Sequence, residues 1–235
     1  MQSIWYGKQE KLFGSENERT ILLSYTKKAI DFAEAVGCGN LVFGCPKNRV
    51  IPDEMIEWSG VKKSTEGSEN HTEMRISPEG SEDHTDKEMF ADKIMNTAVS
   101  FFREIGDYAY RHHTVVALEA NPKIYNTNFI NTTKEAADLV EIVDSRGFLL
   151  NLDTGTMIEN EDTVDVIRDK GKLINHVHFS EPYLKALVKR DLHQELAKFL
   201  KCIDYKGWIS IETGRPDDGP GKLCEMMEYL KGIFN

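Results

Sequence analysis

Four side chains of the types that can bind metals stand out because each lies at or near the end of an apolar, strand-like segment. Three are carboxylates and one is an imidazole: Glu119, Asp153, His178 and Glu212. If the segments are neighbouring parallel strands, their carboxyl ends converge at one edge of the sheet. This donor set suits a borderline-hard divalent cation. The pattern therefore predicts one site for Mn²⁺, Mg²⁺, Co²⁺ or Zn²⁺.

Strand periodicity predicts a second polar layer beneath these donors. Side chains alternate between the two faces of a strand, so residues two positions earlier share the inward face. Those residues are Ala117, Asn151, His176 and Ser210. The three polar ones are expected to orient the metal ligands. His176 and His178 compete for the ligand role, and we choose His178 because it lies nearer the carboxyl end of its strand.

The elements that position these residues alternate between apolar strand segments and helix-period segments. Helices are predicted at about 18–36, 88–112, 134–147, 161–171, 188–204 and 220–233. Strands are predicted near 2–6, 40–45, 115–119, 147–153, 173–179 and 208–212. Repeated strand–helix units indicate a parallel sheet with helices outside it. No GxGxxG or Walker A pattern follows a strand, so the α/β fold is expected to be TIM-barrel-like, incomplete, with about six parallel strands.

Composition limits the classes of partner and location. The 235 residues carry a formal net charge of −10, which disfavours binding to nucleic acid. No apolar run has the length of a membrane span, and the first residues lack the pattern of a signal peptide. A cytoplasmic location is therefore expected. The four scattered cysteines are interpreted as free thiols.

One polar segment, residues 57–87, interrupts the strand–helix pattern. It repeats itself, with EGSENHTE at 66–73 and EGSEDHTD at 79–86. His71 and His84 have acidic neighbours that are compatible with metal binding, but a solvated acidic loop is the favoured interpretation. We therefore predict a single domain over 1–235 that contains this insertion.

Several stretches resemble the xylose-isomerase-like family of β/α barrels, which includes sugar-phosphate isomerase/epimerase-type proteins and the endonuclease IV branch. They are LFGSE at 12–16, LVFGCPKNR at 41–49, EANPKIYNTNF at 119–129, NLDTG at 151–155, HVHFSEP at 176–182 and WISIE at 208–212. In that family the Glu, Asp, His and Glu that close the last four strands bind one divalent metal. By resemblance these are Glu119, Asp153, His178 and Glu212.

The resemblance implies an isomerase or epimerase that acts on a small sugar or sugar phosphate through an enediolate. Glu119 and Glu212 would act as the acid and base, while Asp153 and His178 would mainly hold the ion. Loop residues near the strand ends are candidates for substrate contacts, with a solvent-facing role equally open for the first two: Lys47, Arg49, Asn121, Tyr125, Asn128 and His193. Ser180 and Glu181, just past His178, are expected to shape the rim.

The sequence departs from the family at three points. Ketose epimerases carry a substrate-contacting histidine three residues after the strand aspartate, where this chain has Thr156. Their arginine shortly after the metal histidine is not evident in FSEPYLKALVKR. Family members also usually have two further strand–helix units before the segment that begins this chain. Three explanations are open for the absence of these units: a shortened barrel, sheet edges covered by a second copy, or a missing natural start. Our hypothesis is that the chain associates through its open sheet edges.

Two other functions stay open from the sequence. A non-catalytic truncated barrel would keep the metal site but only bind a ligand or a partner. An endonuclease IV-like metal-dependent phosphodiesterase is less favoured, because the chain is acidic and lacks additional histidines at its predicted strand ends.

Overall fold

The computed structural model describes residues 10–58, 83–215 and 219–235, and its strands form one parallel sheet. The strands follow one another across the sheet in chain order: β1 (Asn40–Phe43), β2 (Val115–Glu119), β3 (Phe148–Asp153), β4 (Ile174–Phe179) and β5 (Trp208–Ile211). The TIM-barrel-like prediction is confirmed, with five described strands rather than six. The strand predicted near 2–6 lies outside the described residues.

Helices connect the strands, as the alternating pattern predicts. In the described part they are α1 (Glu16–Ala35), α2 (Asp53–Trp58), α3 (Asp83–Arg111), α4 (Thr133–Val143), α5 (Thr154–Glu159), α6 (Asp191–Cys202) and α7 (Pro220–Phe234). A capping box stands ahead of α4, with Thr132 Oγ1 accepting from the Glu135 amide at 3.2 Å. A second capping box, formed by Ser15 and Glu18, begins α1.

The connection between β3 and β4 differs from the single predicted helix at 161–171. Helix α5 begins directly after β3, because the Asp153 carboxylate caps its first turn through the Thr156 amide. A 3₁₀-helix over Val164–Leu173 then leads to β4. Asp153 thus ends a strand and starts a helix at the same point, which fixes its side chain from both sides.

The helix-facing side of the sheet is an apolar core. Phe102 of α3 stacks on Phe148 of β3, with ring centroids 4.7 Å apart, and meets Phe43 of β1 edge-on at 5.4 Å. All three rings are buried. Burial of side chains of this size stabilises the fold by about 1.5–3 kcal/mol each. The polar residues of the strands therefore lie on the opposite, inward face.

The sheet is curled rather than flat. Pairing between β3 and β4 passes from Leu150–Ile174 to Asn151–His176, so Asn175 is an extra residue in β4. Its side-chain amide donates to Asn40 Oδ1 at 2.7 Å, which joins β4 to β1 across the inside of the sheet. Such a bulge increases local twist. Five strands curve in this way where a closed barrel of the TIM type has eight.

Most of the 57–87 segment lies outside the described residues, although its last residues, from Asp83, belong to α3. Its repeat, and the single domain over 1–235, stay predictions. None of the described helices combines the length and apolar character needed to cross a bilayer. All four cysteines are free thiols, as predicted.

Candidate metal centre

The four predicted ligands come together at the carboxyl end of the sheet. One donor atom from each side chain lies within 4.8 Å of the others: Glu119, Asp153, His178 and Glu212. Strand register explains the convergence, since Glu119 pairs with Asn151, and Asp153 pairs with His178 on the next strand. A cluster of this kind could hold a divalent metal ion.

Glu119 is fixed by a network of buried polar groups. Its Oε2 accepts from Asn151 Nδ2, and its Oε1 accepts from Asn121 Nδ2 at 3.4 Å. Asn121 Oδ1 in turn accepts from Arg49 Nη2 at 2.5 Å. Gly44, at the end of β1, leaves the space for this carboxylate, because a Cβ there would lie 2.6 Å from Glu119 Oε1. Glu119 therefore has little freedom to change its orientation.

Asp153 is held by hydrogen bonds to both of its oxygens. Oδ1 accepts from the Thr156 amide at 2.7 Å, and Oδ2 accepts from Ser180 Oγ at 2.6 Å. Burial and the nearby Glu119 carboxylate nevertheless raise the pKa of Asp153 to about 7. Crowding of negative charge in a dry site is the cause, and a bound cation would relieve it.

The imidazole of His178 lies between the two glutamates. Its Nδ1 is 2.9 Å from Glu119 Oε2 and 3.4 Å from Glu212 Oε2. Burial lowers the pKa of His178, but the two carboxylates outweigh it and raise that pKa to about 10. The contact with His178 lowers the pKa of Glu212.

The donor set passes a test of fit to a metal ion. His178 Nδ1 is buried and is aligned for a hydrogen bond with no described group, although carboxylates surround it. Buried polar atoms that contact a neighbour without good hydrogen-bond alignment are rare and require an explanation. Three carboxylates around one such nitrogen fit a divalent ion that replaces the histidine proton.

The predicted second layer is arranged in two parts. Asn151 contacts Glu119 directly, whereas His176 Nε2 pairs with Ser210 Oγ at 2.9 Å. The His176 ring packs edge-on against His178, with centroids 5.1 Å apart. Burial, followed by the His178 charge, lowers the pKa of His176 to about 4. His178 rather than His176 belongs to the cluster, which agrees with the choice made from the sequence.

Comparison with known proteins gives a family. Residues 12–233 match the family described as xylose isomerase-like TIM barrel. The chain belongs to this family. A search of curated proteins found no match.

Solved structures show that this xylose isomerase-like chain shares its fold with enzymes of low sequence identity. D-psicose 3-epimerase from Clostridium cellulolyticum superimposes with a TM-score of 0.69 at 15% identity, covering 97% of this chain and 75% of that one. The 3-keto-D-glucoside 4-epimerase YcjR from E. coli gives 0.68 at 18% identity, with 96% and 76% covered. An AP endonuclease of family 2 from Brucella melitensis gives 0.65 at 16% identity, with 96% and 74% covered. At these identities the likeness establishes the fold.

Three predicted substrate contacts are instead engaged within the protein. The Arg49 guanidinium has no exposure to solvent and donates to Asn121 and to the Phe43 carbonyl. Asn121 bridges Arg49 to Glu119. The Asn128 side chain bonds both the amide and the carbonyl of Ile51, at 2.8 and 2.9 Å. We therefore assign Arg49 and Asn121 to the support of Glu119, and Asn128 to the joining of two loops.

His193 also differs from its predicted role. It lies on the buried face of α6, where Phe179 packs against it and Tyr229 OH contacts its Nδ1 at 3.2 Å. Since Phe179 points to the helix-facing side of β4, His193 is separated from the cluster by the sheet. Burial lowers its pKa to about 4. Lys47 is exposed on the loop after β1.

Two features of the site go beyond the sequence analysis. Ser180, expected only at the rim, holds Asp153 and also accepts from the Gly155 amide at 2.9 Å. Its position two residues past His178 was the available signal. Tyr183 was not singled out at all, although its amide donates to the Tyr125 hydroxyl at 2.8 Å.

Proposed function

We propose that the chain is a divalent-metal-dependent isomerase or epimerase that acts on a small sugar or sugar phosphate through an enediolate. The observation that carries the proposal is the pair of glutamates beside one imidazole. Glu119 and Glu212 lie 2.9 and 3.4 Å from His178 Nδ1, so both carboxylates reach the same small volume. The fold neighbours of the chain include two sugar epimerases, which supports this class of reaction.

The two glutamates would perform the proton transfers. One carboxylate removes the proton from the carbon next to the substrate carbonyl, and the other returns a proton on the opposite face or at the adjacent carbon. Asp153 and His178 complete the ligand set. When bound, the ion supplies positive charge that stabilises the negative charge developing on the substrate oxygens. Mn²⁺, Mg²⁺, Co²⁺ and Zn²⁺ all suit these donors.

The two glutamates suit different parts of this cycle. The Glu119 side chain is 9% exposed and braced by Asn151 and Asn121, so its position is set before substrate arrives. The Glu212 side chain is 39% exposed, so solvent can exchange its proton between turnovers. We assign proton delivery and exchange with water to Glu212.

The phosphodiesterase alternative has weaker support, although one fold neighbour is an AP endonuclease. Over the described residues, the four donors form one metal-competent group. The net charge of −10 also opposes the approach of a nucleic-acid backbone. Cleavage of an abasic-site duplex by the metal-loaded protein would favour this alternative.

Solvent-isotope exchange tests the proposal. In D₂O with Mn²⁺, Mg²⁺, Co²⁺ or Zn²⁺, the protein is expected to introduce deuterium next to the carbonyl of at least one member of a panel of ketoses and ketose phosphates. Glu212→Gln should abolish the exchange while the fold survives. If the wild type binds metal but no sugar exchanges with any of these ions, the non-catalytic binding protein becomes the better account.

Association through the sheet edges remains our hypothesis, as does the cytoplasmic location. Trp208, on the edge strand β5, is 81% exposed, which supports a contact there. Small-angle scattering at micromolar concentration should give a mass above that of one chain, and Trp208→Lys should reduce it. A monomer mass for the wild type would count against association.

A further inference from the structure

Two tyrosine rings meet between the loops that follow β2 and β4, two of the strands that carry cluster residues. Tyr183 is 61% exposed and Tyr125 is half-buried, with ring centroids 6.3 Å apart and planes at 63°. Tyr183 belongs to the segment 181–185 that follows β4, which we call the β4 strap. Exposed tyrosine rings at the mouth of a polar site are typical of ligand contacts.

The β4 strap has an unusual backbone conformation. Tyr183 and Leu184 are consecutive non-glycine residues in the left-handed region, with φ of 61° and 54°. Each such residue costs of order 1 kcal/mol, so surrounding contacts must impose the conformation. Strained backbone of this kind concentrates at ligand sites, and the Tyr183 side chain within it is exposed.

Several hydrogen bonds hold the β4 strap in place. The Leu184 carbonyl accepts from the Gly214 amide at 2.7 Å, and the Tyr183 amide donates to Tyr125 OH at 2.8 Å. The Arg190 guanidinium pairs with the buried Glu181 carboxylate at the start of the strap. The strap is thus attached to the loop after β2 and to the segment that follows β5.

These hydrogen bonds connect the strap to segments that carry cluster carboxylates. Gly214 lies two residues after Glu212, and the strap follows directly on Ser180, which bonds Asp153. Burial raises the pKa of Tyr125, and the negative charges of Asp153 and Glu212 add to that effect. The pair is carried by the loops that follow β2 and β4, two of the strands that bear cluster residues.

We propose that Tyr183 and Tyr125 form an aromatic wall that packs against the C–H face of a sugar, and that Tyr183 contributes to substrate affinity and specificity. The inference rests on the proposed function and adds a residue to its binding site. The face of a tyrosine ring is electron-rich and attracts the polarised C–H groups of a sugar. Tyr125 OH accepts from the strap and keeps a proton that it can donate to a sugar hydroxyl.

Binding measurements test the aromatic wall without requiring turnover. Saturation-transfer NMR would titrate D-psicose, D-fructose and D-tagatose into the Mg²⁺-loaded and Zn²⁺-loaded protein. The wild type should bind at least one of these sugars, with the strongest transfer at C–H protons. Tyr183→Ala should raise Kd about tenfold, in line with the loss of one aromatic contact. Tyr183→Phe, which keeps the ring, should stay within twofold of the wild type.

Tyr110→Ala is the matched control, because Tyr110 is also an exposed tyrosine but lies on α3. It should leave Kd unchanged. A Kd for Tyr183→Ala within twofold of the wild type would overturn the wall, and so would the absence of sugar binding to the wild type.

Deuterium exchange on the same samples separates the two hypotheses. Binding that depends on Tyr183 without any exchange would contradict the proposed reaction and leave the wall intact. Exchange with an unchanged KM in Tyr183→Ala would contradict the wall and leave the reaction intact.

Discussion

Glu119 and Glu212 present the same carboxylate to the cluster from strands in very different surroundings. Glu119 ends β2, which has strands on both sides, and its side chain is 9% exposed. Glu212 follows β5, the edge strand of the described sheet, and its side chain is 39% exposed. The same ligand type is therefore rigid at one side of the site and adjustable at the other.

The difference has its origin in what neighbouring strands supply. Asn151 of β3 and Asn121 of the following loop both donate to Glu119, and Arg49 supports Asn121 from behind. Among the described residues, the Glu212 carboxylate contacts His178 at the site. Pre-organised ligands bind metal tightly because little freedom is lost on binding, whereas a mobile carboxylate suits proton exchange.

Replacing either glutamate by glutamine should have the largest effects, and the two variants should differ in how much Mn²⁺ affinity they lose. Glu119→Gln should weaken Mn²⁺ binding by at least about 100-fold, because a ligand and its pre-formed geometry are lost together. Glu212→Gln should weaken binding by only about tenfold while abolishing deuterium exchange. Isothermal titration calorimetry measures the Mn²⁺ affinity of both variants, and NMR measures the deuterium exchange. Equal losses of Mn²⁺ affinity in the two variants would contradict the difference between a rigid Glu119 and an adjustable Glu212.

The buried support of Glu119 should matter for folding as well as for metal binding. Arg49→Met keeps most of the side-chain volume but removes the guanidinium that donates to Asn121 Oδ1 and to the Phe43 carbonyl. We expect the free energy of unfolding to fall by about 2–3 kcal/mol, measured by urea denaturation. Lys47→Met, on the same loop but exposed, is the control and should change it by less than about 0.5 kcal/mol. A neutral Arg49→Met would show that the guanidinium does not support the site.

Features that follow from strand periodicity could be predicted from the sequence, whereas features that depend on contacts between distant residues could not. The clustering of the four candidate ligands was predictable, because strand parity and strand ends place Glu119, Asp153, His178 and Glu212 at one edge. The orientation of the Arg49 side chain could not be predicted, because it depends on a hydrogen bond to Asn121, which lies 72 positions away in the chain. His193 was misplaced because periodicity places it on α6 without showing that α6 turns that face toward Phe179.

The curvature of the sheet and the start of α5 were hidden for a related reason. The extra residue Asn175 in β4 becomes visible only from its pairing with β3. Asp153 reads as the end of a strand, and its second role as a helix cap follows from a bond to Thr156 that alternation does not reveal.

The second polar layer should show the same asymmetry on a smaller scale. Asn151→Ala removes a donor from Glu119 and should weaken Mn²⁺ binding by about tenfold, the usual cost of losing a partner of a metal ligand. Ser210→Ala removes only the partner of His176 and should change the affinity by less than about twofold. Calorimetry on both variants decides this, and a larger loss in Ser210→Ala would reverse the assignment of the rigid side.

One divalent ion is expected to lie among the four side chains, and an anomalous-scattering map tests this expectation most directly. Crystals grown with Mn²⁺ or Zn²⁺ should show one strong peak within bonding distance of Glu119, Asp153, His178 and Glu212. The peak should vanish in His178→Ala. A map with no peak at this position, or with its peak at another part of the chain, would contradict the claim.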